Sequence, residues 1–241
     1  MPEGARLSHV LVGSYFDEPT TIGRSLEPPI KGPIAAAVGL FVVAADLLLV
    51  WRGEHSYTCH RAALPVLALI AYLSLSRGDL ATTGLVLHVR HGIGYWAKAM
   101  LAIGLVVAVG LTLSAIAFLG VGAEIPIRGL PLSLVPSSLI RMCVMAPLIE
   151  EATYRLALCT AAAAVLRPRQ AIILSGACFA LLHVLYGNPG ADNVLAGFFL
   201  AWAYFKSGSI LVPILLHSLG NLCVLAGWVA LWYLGPEWLI P

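Results

Sequence analysis

The stretch Met142-Cys143-Val144-Met145-Ala146-Pro147-Leu148-Ile149-Glu150-Glu151-Ala152-Thr153-Tyr154-Arg155-Leu156-Ala157-Leu158 sets two adjacent acids inside an otherwise apolar run. A charge at membrane depth costs about 2.5–3.5 kcal/mol on insertion scales, so such a position is rarely idle. Two more apolar stretches carry polar groups of the same kind. One reads Phe179-Ala180-Leu181-Leu182-His183, the other His217-Ser218-Leu219-Gly220-Asn221. Acids, imidazoles and an amide on three hydrophobic segments point to a polar reaction centre buried in a membrane protein.

Composition agrees. The chain has 241 residues, 60% hydrophobic and only 11% charged, with a mean hydropathy of +0.91. Soluble domains carry about 25% charged residues. The apolar runs are long and unbroken, unlike the alternating segments of about ten residues in a membrane β-barrel. The expected fold is therefore all-α: a polytopic transmembrane helix bundle of about seven spans, with the active site inside the bundle. The expected spans are 34–51, 62–76, 95–119, 136–166, 170–186, 193–205 and 210–234, the second and sixth being short for the roughly 20 residues a span needs. Trp51, Tyr95, Trp96, Trp232, Tyr233 and Trp238 fall near span ends, as an interfacial aromatic belt requires. No basic tract suggests nucleic acid. The five cysteines show no CxxC pairing, and four lie in apolar segments as small core residues.

The organisation expected is a polar N-terminal tail over 1–32, at the membrane surface or disordered, then helices and a basic linker over 33–127, then a catalytic helical core over 128–241. The tail lacks a basic start followed by an apolar run, so no cleavable signal is read there. With a cytoplasmic N-terminus and seven spans, nine Lys and Arg fall on the cytoplasmic side. Three, Arg52, Arg61 and Arg128, fall on the other. That asymmetry favours the cytoplasmic orientation.

The spacing assigns roles. Glu151 and Arg155 are four residues apart and share a helix face, so they can pair. Glu150 is turned by about 100° from Glu151, which leaves it free to face a cavity; the plainer alternative is that both acids neutralise Arg155 and Arg141. Phe179 and His183 are again four apart, and a short connection makes their helix a neighbour of the Glu150 helix. A carboxylate and an imidazole can then activate one water. His217 and Asn221 offer two donors suited to the oxyanion formed when water adds to a peptide carbonyl. The plain alternative is a helix–helix hydrogen bond, worth about 0.6 kcal/mol in membranes. Asp46 can pair with a basic group that the sequence does not name, and His55, Cys59 and His60 cluster at a spacing that matches no zinc pattern.

Glu150-Glu151-x-x-x-Arg155, Phe179-x-x-x-His183 and His217-x-x-x-Asn221, in that order, resemble the CPBP family: the CAAX-prenyl-protease, bacteriocin-processing and abortive-infection intramembrane proteins. The flanks Ser175-Gly176-Ala177-Cys178 and Ser207-Gly208-Ser209-Ile210 fit as well, and the resemblance covers roughly 141–227. Residues 77–96 weakly resemble the linker that precedes the family's core. The resemblance implies that Glu150 and His183 activate water, that His217 and Asn221 stabilise the oxyanion, and that Glu151, Arg155 and Phe179 support them. It implies an intramembrane endopeptidase, glutamate-type and needing no cofactor. Zinc held by Glu150, His183 and His217 is the second choice. The substrate would be a protein or peptide in or at the bilayer, cut near its C-terminal or membrane-embedded segment. The expected location is a cell membrane, multi-pass, and abundant small residues without internal targeting signals read as bacterial. The rival from another class is a non-catalytic immunity or scaffold protein, or a proton-linked transporter, since intramembrane Glu and His also build proton relays.

Overall fold

The computed structural model describes residues 20–26, 31–55, 57–120 and 129–234. Seven long helices make a bundle with no strand among the described residues: α1 Lys31–Trp51, α2 Cys59–Ser76, α3 Ile93–Gly120, α4 Leu132–Ala163, α5 Pro168–Leu185, α6 Ala191–Ser207 and α7 Leu211–Leu234. Six are long and apolar enough to cross a membrane. The exception, α6, has 17 residues; it is one of the two segments that read as short. The outward faces of the helices are apolar: Leu101, Leu105 and Leu113 on α3 and Phe41 on α1 are all exposed. Patches of that extent belong against lipid tails.

Helix α4 carries the site and is not a regular α-helix. Two of its segments, Ile140–Met145 and Ala152–Cys159, are wound wider, with π turns. Pro147 explains the first. It has no N–H to give to a preceding carbonyl. The N–H of Ala146 reaches back to the Arg141 carbonyl, five residues away. Met142 O is thereby left without a backbone donor, because the next position in the wider register is Pro147.

Helices α5 and α6 touch almost backbone to backbone. A Cβ built on Gly176 would lie 2.4 Å from Cδ1 of Phe198, and one on Gly197 would lie 3.0 Å from the Gly176 carbonyl. Small residues give membrane helices this approach. It brings the Gly197 carbonyl within reach of the site.

Three sequence expectations change here. Residues 20–26 are not a loose tail: Ile22 and Leu26 are buried in the core, and Gly23 N–H donates to the Thr82 carbonyl at 2.9 Å. The rest of the tail, like Trp238, lies outside the described residues. Trp96 is buried rather than set in an interfacial belt; its indole N–H donates to Arg90 O at 3.1 Å. Arg61 is not a loop charge. Helix α2 begins at Cys59, three residues before the expected span, and Arg61 is fully buried inside the bundle. Cys59 and His60 sit exposed on the first turn of the same helix.

Candidate active site

The two adjacent acids of α4 have separate surroundings. Glu151 is fully buried. Its Oε2 lies 2.9 Å from Arg155 Nε, and its Oε1 accepts from His217 Nδ1 at 2.8 Å. The Arg155 N–H is not aimed along that 2.9 Å line, so the contact is ionic more than a directed hydrogen bond. Arg155 donates from Nη2 to Gly197 O at 3.3 Å, and its guanidinium stacks over Phe179 at 4.6 Å. The close approach of α6 at Gly197 is what makes the first of these possible. One helix turn thus fastens α4 to α5, α6 and α7 through a fully buried ion pair.

Glu150, one residue earlier and 2% exposed, has no such Arg or Lys partner among the described residues. Its Oε1 accepts from the Tyr57 hydroxyl at 2.8 Å and lies 3.5 Å from the Tyr186 hydroxyl. Its Oε2 is 3.9 Å from Nε2 of His217, too far for a direct bond and suited to a water held by both. The rotation between successive helical residues produces this separation of the acids, as the spacing predicts.

His183 is buried, with Nδ1 at 3.0 Å from the Phe179 carbonyl. A carbonyl only accepts, so Nδ1 carries the hydrogen and neutral His183 keeps a lone pair on Nε2. No direct hydrogen bond joins His183 to Glu150 among the described residues. Tyr186 is the side chain they share: its hydroxyl lies 3.5 Å from Glu150 Oε1 and its ring 5.8 Å from that of His183, which also lies 4.5 Å from the Phe179 ring. The Phe179 ring also meets His217 edge-on at 6.0 Å. Phe179 is therefore the apolar floor shared by both imidazoles and Arg155.

Asn221 donates from Nδ2 to Met142 O at 2.7 Å. That is the carbonyl left bare by the wide turn and Pro147. The amide has a second N–H to offer, while the first ties α7 to α4. His217 donates to Glu151 from Nδ1, so Nε2 donates as well only when the ring is an imidazolium.

Two groups escaped the sequence reading. Tyr57, in the connection between α1 and α2, and Tyr186, the last residue of the expected fifth span and the cap of α5, both touch Glu150. Behind them lies a second buried ion pair. Arg61 grips Asp46 with two contacts, at 2.7 and 3.2 Å, and also donates to the Tyr186 hydroxyl. Tyr154 on α4 donates to the same Asp46 at 3.1 Å. Burial raises the pKa of the Tyr57 and Tyr186 phenols well above the usual tyrosine range, and the Glu150 charge adds to it, so both remain donors. A basic residue inside an apolar helix, opposite an acid in the helix before, was the available signal.

Among the described residues no group of three or more His, Cys, Asp or Glu side chains converges as metal ligands do. Glu150, His183 and His217 are not gathered in that way here, and no step is derived through zinc.

Fold and site together define a multi-pass membrane bundle with a buried pair of acids and two imidazoles around one space. Residues 132–223, which hold Glu150, the Glu151–Arg155 pair, His183, His217 and Asn221, match the Rce1-like family, described as type II CAAX prenyl endopeptidase Rce1-like. Over that segment, which is less than half of the chain, the protein is similar to the Rce1-like family, in agreement with the resemblance carried by its motifs. At family level the match implies a protease of the CAAX type acting on a peptide or protein at the membrane. It does not reach α1, α2 or α3. No curated protein and no solved structure matches the chain.

Proposed function

We propose that the protein is an intramembrane endopeptidase that cuts a peptide bond near the C-terminal or membrane-embedded segment of its substrate, with Glu150 and His183 activating water. The observation that carries this reading is the unequal treatment of two neighbouring acids. Glu151 is neutralised by Arg155 and bonded to His217. Glu150 is held by phenols, with one oxygen left toward His217.

In this mechanism a water donates one O–H to Glu150 Oε2 and the other to His183 Nε2. Glu150 takes the proton as the water oxygen bonds to the scissile carbonyl carbon. The carbonyl π electrons move to oxygen. The oxyanion accepts from His217, as imidazolium, and from the free N–H of Asn221, in a site where low dielectric strengthens such bonds. When the intermediate collapses, the C–N bond breaks and the proton from Glu150 passes to the leaving amine. The mechanism is of the glutamate type and routes no step through a metal. The N-terminus faces the cytoplasm in this reading, and the cell is bacterial.

Comparative proteomics of membrane and secreted fractions tests it, in cells carrying wild type or Glu150→Ala. A protein terminus lost only with wild type is the expected result and names the substrate. Unchanged termini, with a phenotype that survives Glu150→Ala, would favour a non-catalytic peptide-binding or proton-linked role.

A further inference from the structure

We infer that Tyr57 is a positioning residue for Glu150, contributed from outside the family-matched segment and anchored by the buried Asp46–Arg61 pair. The inference rests on the reading that Glu150 activates water. A carboxylate has two oxygens and can rotate; general-base action needs one of them fixed toward the water. Tyr57 donates to Oε1 at 2.8 Å, which leaves Oε2 as the oxygen that faces His217 Nε2. Tyr186 adds only a long contact of 3.5 Å to the same Oε1.

Tyr57 lies in a connection, where a side chain ordinarily has freedom. Here its ring is held. The Arg61 guanidinium lies 5.5 Å from the Tyr57 ring centre and 5.4 Å from that of Tyr186, so one cation braces both phenols. Arg61 is in turn fixed by two contacts to Asp46. The His55 ring lies 5.8 Å from that of Tyr186 and closes the connection over the same side. A planar guanidinium suits this arrangement, since it can stack on rings while its edge binds a carboxylate. The helices α1 and α2 therefore do more than enclose the core: they aim its acid.

The test uses the full chain in phospholipid nanodiscs with a quenched, farnesylated peptide ending in a CAAX sequence. Tyr57→Phe keeps the ring against Arg61 and removes only the donor. The expected result is a kcat lower by about tenfold, the effect of losing one charge-assisted hydrogen bond, with KM unchanged and the variant folded at the assay temperature. Tyr186→Phe should lower kcat by less. A Tyr57→Phe enzyme with wild-type kcat would overturn the inference, as would a kcat loss that merely tracks a lower melting temperature. Glu150→Gln is measured beside it. If Glu150→Gln is inactive and Tyr57→Phe is normal, the positioning role alone fails. If Glu150→Gln cleaves at the wild-type rate, the reading of Glu150 fails and takes the inference with it.

Discussion

Asn221 supplies the hydrogen bond that the backbone of α4 cannot give to Met142. The amide donates to the Met142 carbonyl at 2.7 Å, where Ala146 N–H has gone to Arg141 and Pro147 has no N–H. A side chain on one membrane helix thus completes the ladder of another. The same residue is proposed to stabilise the oxyanion with its remaining hydrogen.

Those two duties can be separated. Asn221→Ala leaves a carbonyl without a partner and should lower stability by about 1–2 kcal/mol. In a Pro147→Ala background the backbone regains an N–H at that place, so the stability cost of Asn221→Ala should shrink while the loss of cleavage persists. Thermal unfolding and peptide cleavage, measured on all four proteins of the cycle, report the two effects independently. Equal stability costs in both backgrounds would count against the backbone role.

Arg155→Ala should unfold the site rather than only silence it. It removes the cation beside Glu151 at full burial, and breaking one side of a buried pair costs about 3–5 kcal/mol. Folded yield in detergent should fall together with activity. Arg155→Lys should restore little, since an ammonium cannot both pair with Glu151 and stack over Phe179.

Treatment with EDTA or 1,10-phenanthroline should leave cleavage unchanged. The described acids and imidazoles form no three-ligand group. Activity lost on chelation and restored by zinc would instead assign Glu150, His183 and His217 as ligands.

A pH effect is expected away from the site. Asp79, between α2 and α3, has its pKa held below the ordinary aspartate value, first by the Ser25 hydroxyl at 2.5 Å and also by Thr82 and the Ala81 N–H. A depressed folded pKa stabilises the fold above the unfolded value of about 3.9, and that contribution disappears as pH falls through the folded pKa. Ser25→Ala should therefore lower the melting temperature slightly at about pH 7, by no more than about 0.5 kcal/mol equivalent given solvent screening. The difference should shrink and then vanish as pH falls below the unfolded value and through the lower folded pKa. A gap that persists in acid would point to packing of residues 20–26 instead.

Much of this was legible along the chain, because helices encode their neighbours at fixed spacing. The Glu151–Arg155 pair, the stacking of Phe179 on His183 and the separation of Glu150 from Glu151 all follow from i, i+4 geometry. The pair of Asp46 and Arg61 does not, since which faces of α1 and α2 meet is a property of packing and not of period. Tyr57 lies in a connection, where no periodicity marks a side chain as inward, and Tyr186 sits at the very end of a span, where an aromatic reads as an interfacial residue. Ile22 and Leu26 are isolated apolar residues in a polar stretch, a pattern that looks the same whether they are buried or free. Pro147 was visible, but its effect on Met142 depends on the turn widening around it.

The Asp46–Arg61 pair also bears on how the chain enters the bilayer. Either residue alone would oppose insertion of its helix by roughly 2.5–3.5 kcal/mol. They lie 15 residues apart in sequence, on consecutive helices that reach the insertion machinery one after the other. Joined, they let α1 and α2 partition together with the buried charges of both helices neutralised by each other, before α4 has been synthesised. Biogenesis would then begin with the brace and add the catalytic helices onto it.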